Sequence, residues 1–172
     1  NNRSMVDAIP ALVSERSVKL FESFKVFTRA ELISRAEIEY ESYSKVINIE
    51  ARTMIDVATK SIIPAVIHYI TRLANSINSV RKALPTANIR VQTKLLNECS
   101  DLLSEAEEAM ERLIKVNDYA SNIKEAKKRA EVYHDEVTKV MTKLREPIDR
   151  LEMIVDKDMW PMPSYGDMIF EV

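Results

Sequence analysis

Glu131-Val132-Tyr133-His134 sets a carboxylate and an imidazole three residues apart, which on a helix places them on one face. This is the Glu-x-x-His pattern with which helical bundles hold a pair of iron or manganese ions. That chemistry needs two such motifs and two further inward glutamates. His68 is the only other histidine, and Ala65 stands three residues before it, so a second motif does not exist. His134 also suggests a phosphoryl-accepting imidazole on a four-helix bundle. Such a histidine must be open to a partner, with a lysine close by and a small residue clearing the approach. Lys139 lies five residues on, around the helix, and no glycine is near. An ordinary surface or boundary histidine is the simpler reading. Cys99 falls between Leu96 and Leu103 in an apolar rhythm. Without a base near it in sequence, its default role is that of a small buried hydrophobe. No catalytic, cofactor-binding or metal-ligating set is therefore expected, and the segment by itself reads as no enzyme.

The elements that must carry these residues are helices. Thr28-Arg29-Ala30-Glu31 is a capping box, in which the threonine hydroxyl accepts an amide and the glutamate reaches back. It opens a long helix whose apolar positions, Ala36, Tyr40, Tyr43, Ile47, Ala51, Met54, Ala58 and Ile62, recur at steps of three and four. The pattern passes Pro64 and continues to Leu84; with no turn residues beside it, Pro64 predicts a bend and not a break. Pro85-Thr86-Ala87-Asn88 ends this element. Leu96, Cys99, Leu103, Ala106, Met110 and Leu113 form a second seam with coiled-coil spacing. A turn follows at Asn117-Asp118 or at Ser121-Asn122. A third seam runs from Ile123 through Ala126, Ala130, Tyr133, Val137, Val140, Leu144, Ile148 and Leu151 to Val155, slipping by one near Pro147 as at a kink. Ahead of the first long helix, residues 1–13 read as a lead-in containing Pro10. A short amphipathic helix follows, with Val18, Phe21, Phe24 and Phe27 toward one face. Charged runs such as Lys124–Arg129 read as solvated faces, and Arg145, Asp149, Arg150 and Glu152 as an ion-pair cluster.

Composition bounds the functions open to such a chain. Among its 172 residues there is one glycine, which rules out phosphate-cradling loops and dinucleotide fingerprints. A net charge of −2 with 30% charged residues argues against nucleic acid as a partner. One cysteine allows no disulfide and fits a reducing compartment. No apolar run approaches the roughly 20 residues of a membrane span. The opening Asn1-Asn2-Arg3-Ser4-Met5 reads as a piece of a longer protein.

The chain's end breaks the helical pattern. Trp160-Pro161-Met162-Pro163-Ser164-Tyr165-Gly166-Asp167-Met168-Ile169-Phe170-Glu171-Val172 holds the sole tryptophan, the sole glycine and two prolines. The prolines push Trp160 and Met162 toward extended backbone. Trp160, Tyr165, Ile169 and Phe170 carry too much apolar surface to stay in water, at about 1.5–3 kcal/mol each when buried. The tail is thus expected to be extended and docked through those four residues, on its own domain or on a partner.

This ending resembles the C-terminus of type III glutamine synthetases. So do Phe27-Thr28-Arg29-Ala30-Glu31-Leu32 with Ser34-Arg35, Lys45-Val46-Ile47-Asn48-Ile49-Glu50-Ala51-Arg52-Thr53-Met54-Ile55 with Ile63-Pro64-Ala65-Val66-Ile67, and Lys143-Leu144-Arg145 through Asp149-Arg150-Leu151-Glu152. Residues 86–130 share only helical character. The resemblance implies the C-terminal domain of a cytoplasmic glutamate–ammonia ligase that uses ATP and Mg2+ and assembles as stacked hexameric rings. The implied partners are the upstream catalytic domain and further copies of the chain. None of that family's catalytic or metal-binding residues can be placed on this sequence. The expected fold is all-α: an antiparallel bundle of long, kinked helices over 28–155, preceded by a lead-in with a short helix over 1–27 and followed by an extended tail over 156–172. A free-standing adaptor or scaffold that presents its Trp-Pro-x-Pro tail is the alternative.

Overall fold

Helix starts in this chain are set by short polar side chains that satisfy the first unpaired amides. Ser4 accepts from the Asp7 amide at 3.1 Å and opens α1, Met5–Leu12. Ser14 accepts from the Ser17 amide at 3.3 Å and opens α2, Glu15–Ser23. At Thr28 the capping box forms in both directions. The Thr28 amide donates to Glu31 Oε2 at 2.7 Å, and the Glu31 amide to Thr28 Oγ1 at 3.4 Å. From there α3 runs over Arg29–Val57, a five-residue π-turn over Ala58–Ile62, α4 over Ile63–Ala83 and α5 over Arg90–Ser121. They are followed by α6, Ala126–Val132, a second π-turn, Tyr133–Val137, and α7, Thr138–Glu152. A 3₁₀ turn at Lys157–Met159 and α8, Tyr165–Phe170, complete the chain. This structure, a computed structural model, describes residues 4–163 and 165–170, with the backbone alone for Tyr165, Gly166 and Phe170. No strand occurs among the described residues, and the fold is all-α.

The chain divides into two compact units, one of residues 1–53 and 113–140, the other of residues 54–112 and 141–172. In the first, Val6, Ile9, Ala36, Tyr40 and Ala130 form a buried cluster flanked by Val13, Tyr43 and Ala126. A bidentate pair, Arg29 to Glu15 at 2.7 and 2.8 Å, ties the start of α3 to α2. The Arg35 guanidinium lies 4.2 Å from the centroid of the Phe27 ring. In the second unit, α4, α5 and α7 bury Val66, Tyr69, Leu73, Cys99, Leu102, Leu151 and Val155 together with Ile62. Each fully buried aliphatic side chain there is worth about 1.5–3 kcal/mol. The short segment 84–89 connects α4 to α5, and Thr59 Oγ1 meets Met110 Sδ at 3.2 Å, so α5 doubles back along the preceding helical stretch.

Several expectations are corrected. The lead-in over 1–13 contains a helix, because Ser4 caps it and Val6 and Ile9 bury against the core, which outweighs the hydrogen bond lost at Pro10. The face of the following helix is carried by Val18, 1% exposed, while Phe24 is 72% exposed. The reason lies in the helix end: Lys25 takes φ 55°, and the Lys25 and Val26 amides bond to Glu22 and Phe21 carbonyls, a Schellman closure that turns the chain at Phe24. Phe21 and Phe27 pair instead, with ring centroids 5.6 Å apart. The third seam does not slip at Pro147. Pro147 is itself buried and Ile148 only half-buried, and the irregularity sits earlier, in the π-turn at 133–137. At Pro64 the backbone stays helical throughout. The turn after α5 falls at the later of the two expected places.

The tail is not extended over its whole length. Trp160 is (φ −76°, ψ 125°), as a residue before proline should be, but residues 165–170 are helical. Beyond Pro163 no proline opposes a helix, and Ser164-Tyr165-Gly166-Asp167 has the Ser-x-x-acid spacing of a helix start. Lys157 Nζ reaches Asp167 Oδ1 at 2.7 Å, joining the 3₁₀ turn to α8.

Candidate functional site

Two faces of the first unit that sequence spacing keeps apart come together around a cavity of about 330 Å³. From α3 come Glu41, Ser44, Lys45 and Asn48, which span two turns of one helix face. Ser121 comes from the end of α5, Arg129 from α6, and Tyr133, four residues later, from the start of the second π-turn. Every lining residue carries a polar group.

The hydrogen-bond inventory of this cavity is unbalanced toward donors. Ser44 and Ser121 spend their hydroxyl protons locally, on the Tyr40 carbonyl at 2.8 Å and the Asp118 carbonyl at 2.9 Å. Asn48 Oδ1 accepts from Asn117 Nδ2 at 3.0 Å, which fixes the Asn48 amide and leaves its own NH2 group without a bond among the described residues. Asn117 is 2% exposed and its Oδ1 is buried without a partner among the described residues. A buried acceptor left this way costs about 1–3 kcal/mol. Arg129 donates from one nitrogen to the Ile123 carbonyl at 3.0 Å, which orients the guanidinium and leaves its remaining N–H groups. Tyr133 is 1% exposed, and its hydroxyl forms no bond among the described residues. Burial raises its phenol pKa, Arg52 and then Arg129 pull it down, and Asp118 adds to the rise. The shift is upward, so the hydroxyl keeps its proton and remains a donor. The one carboxylate in the lining, Glu41, lies 3.4 Å from Lys45 Nζ on an exposed edge.

The π-turn that presents Tyr133 has its own repair. The Thr138 amide bonds to the Tyr133 carbonyl, five residues back, and Thr138 Oγ1 donates to the His134 carbonyl at 2.6 Å. His134 sits inside this turn, half-buried, with Nδ1 2.9 Å from Asp135 Oδ1 and its ring 6.4 Å from that of Tyr43. Glu131, the other half of the Glu-x-x-His motif, lies 3.9 Å from Lys127. Among the described residues no group of three His, Cys, Asp or Glu side chains could hold a metal ion. Cys99 is wholly buried in the second unit; burial first, and then Glu98, push its thiol pKa up, away from the thiolate.

The expected docking residues scatter. Trp160 is half-buried against the core of the second unit, with its indole nitrogen buried and without a partner among the described residues. The turn before it is held by Arg72, which donates to Asp156 Oδ2 at 2.9 Å. Ile169 is 65% exposed. Tyr165 and Phe170 lie outside the described side chains. Of the charged cluster near Pro147, Arg145 pairs with Asp149 at 3.1 Å and Arg150 with Glu105 at 3.8 Å. No described helix is long and apolar enough to cross a membrane. Sequence reasoning found Tyr133 as a seam residue and Arg129 as part of a solvated run. It missed both as cavity residues, although the four-residue steps Ser44–Asn48 and Arg129–Tyr133 each mark one polar helix face.

Residues 1–81 match the family described as Glutamine synthetase C-terminal domain. Along its whole length the chain is similar to a glutamine synthetase of Butyrivibrio fibrisolvens, 28% identical over 172 residues, which are 25% of that protein. A type-3 glutamine synthetase of Dictyostelium discoideum is 30% identical over 177 residues, covering 99% of this chain and 24% of the relative. A glutamine synthetase of Bacteroides fragilis is 27% identical over 150 residues, 85% of this chain and 21% of the relative. The chain thus spans about a quarter of the length of the curated relatives it matches.

Proposed function

We propose that this chain is a glutamine synthetase C-terminal domain, and that it serves a glutamate–ammonia ligase as a non-catalytic structural part. The observation that carries the reading is the alignment along the entire chain with glutamine synthetases about four times its length. The parent would form glutamine from glutamate and ammonia with ATP and Mg2+, in the cytoplasm, through domains upstream of this one. The described residues of this chain do not fit Mg2+, for want of a cluster of three ligands, and no catalytic step is assigned to them. The contribution of this domain is rigidity and surface. Its long capped helices hold an apolar edge at Leu20, Phe24 and Val26 open to solvent, and this edge is suited to pack on the catalytic domain. Contacts between copies in stacked hexameric rings are the second role, by analogy with the family. Trp160 acts as a fastener of the second unit, which disfavours a free-standing adaptor that presents the tail.

The purified 172-residue chain is expected to make no glutamine from glutamate, ammonia and ATP, whereas the enzyme that contains it does. Turnover by the isolated chain would overturn the reading. Removal of residues 158–172 is expected to lower the melting temperature, because Trp160 leaves the core. An unchanged melting temperature with lost assembly would restore the adaptor.

A further inference from the structure

We infer that the cavity between α3, α6 and the second π-turn is a binding site for a small oxyanion-bearing molecule, a carboxylate or a phosphate. It is gripped by Arg129, Lys45, Tyr133 and Asn48.

Donors outnumber acceptors in this cavity. The donors are the Tyr133 hydroxyl, the Asn48 amide, the remaining guanidinium N–H groups of Arg129 and the Lys45 ammonium, which spends one proton on Glu41. The acceptors beside them are fewer: the Ser44 and Ser121 hydroxyl oxygens, Asn117 Oδ1 behind Asn48, and the Glu41 carboxylate at the edge. The Tyr133 hydroxyl borders the cavity and forms no bond among the described residues, so an incoming oxyanion supplies it with an acceptor. Oxyanions also form the strongest bonds available to these groups, since Arg and Lys donate with charge and Arg can do so in a fork.

Charge favours an anion as well. Lys45 and Arg129 against Glu41 leave the lining one positive charge in excess, and Arg52 lies near enough to lower the Tyr133 pKa. Lys45 is free to move inward, because its contact with Glu41 is long and exposed. Backbone geometry points the same way. π-turns are rare and concentrate at functional sites. No proline follows this one to account for it, and Tyr133 is its first residue. At 330 Å³ the cavity reaches the range of small-molecule sites, with room for several heavy atoms beyond the charged group. Such a site is independent of the structural role proposed above, and stands or falls without it.

Calorimetric titration of the 172-residue chain with sodium succinate and, separately, with inorganic phosphate tests it, at an ionic strength held by sodium chloride. A dissociation constant of about 1 mM or tighter is expected for at least one of them. Arg129→Gln and Lys45→Gln should each weaken binding about tenfold or more, and Tyr133→Phe about fivefold, from the loss of charged and neutral hydrogen bonds. Arg129 also holds the Ile123 carbonyl, so if Arg129→Gln lowers the melting temperature, Lys45→Gln and Tyr133→Phe decide the outcome. Binding of succinate alone identifies a carboxylate ligand, of phosphate alone a phosphate ligand, and of both a grip that reads the oxyanion only. The inference is overturned if neither binds below about 20 mM, or if Tyr133→Phe and Lys45→Gln bind as tightly as the parent chain.

Discussion

Among the described residues each compact unit contains one five-residue π-turn, Ala58–Ile62 in the second and Tyr133–Val137 in the first, and the two arise differently. The turn at 58–62 stands immediately before Pro64. A proline in an α-helix lacks the amide that would bond four residues back, and its ring collides with that carbonyl. Widening the preceding turn, with the Ile63 amide reaching Ala58, relieves the clash and keeps the helix going. The turn at 133–137 has no such proline. Thr138 patches its freed carbonyl, and its first residue faces a polar cavity. The surroundings differ in the same sense: Ile62 enters an apolar core, whereas Tyr133 lines a polar cavity together with Arg129, Lys45 and Asn48. One irregularity thus accommodates a residue of its own helix, and the other positions a side chain.

The largest effect should come from the apolar side of this contrast. Leu151→Ala, in the core that the first π-turn feeds, is expected to cost about 2–5 kcal/mol in denaturant unfolding, through lost transfer energy and a cavity. A cost under about 1 kcal/mol would mean that this core is looser than its burial indicates. Next comes removal of one exposed residue from each π-turn. Deleting Lys60 restores an α-helix that Pro64 cannot join, at about 3 kcal/mol. Deleting Glu136 restores a helix without a proline and should cost about 1 kcal/mol or less. Equal costs in thermal melts would erase the distinction between the two turns.

Tyr133→Phe follows, with an expected change within about 0.5 kcal/mol, because the lost hydroxyl has no partner among the described residues. A loss near 2 kcal/mol would show the phenol to be a structural anchor. The smallest effect is acid sensitivity confined to the first unit. Arg29, by hydrogen bond and then by charge, lowers the Glu15 pKa below its ordinary 4.5; Thr28, by backbone and then side-chain bonds, lowers that of Glu31. A depressed folded-state pKa contributes stability above the unfolded value, and that contribution is lost as pH falls below 4.5 through the folded value. Melting temperature should therefore decline slightly in that window. Glu31→Gln should flatten the decline; an unchanged slope would assign it to other carboxylates.

The helical class, the capping box at Thr28–Glu31 and most buried positions were legible beforehand. Ala36, Tyr40, Ala51, Ala58 and Ile62 are buried as their spacing requires, and so are Cys99, Ala106 and Leu113. Such signals are local: a helix repeats every 3.6 residues, and its apolar stripe appears in any window of the chain. Leu32, four residues before Ala36, and Leu102, three after Cys99 and four before Ala106, are buried on the same stripes, so the spacing carried their signal as well. Phe24 failed for a local reason that propensity conceals, a left-handed Lys25 where glycine is usual. In the tail, two prolines drew attention from the helix that begins beyond them.

By itself, then, the order of residues determined the helices, their caps and the family to which the chain is similar, because each depends on neighbours in sequence. Tertiary structure alone decided that Tyr133 and Arg129 would face Ser44, Lys45 and Asn48, some 80 residues away in the chain, and that a π-turn would occur where no proline calls for one. Which polar groups end without a partner depends on what packs opposite them, and that is a property of the folded chain.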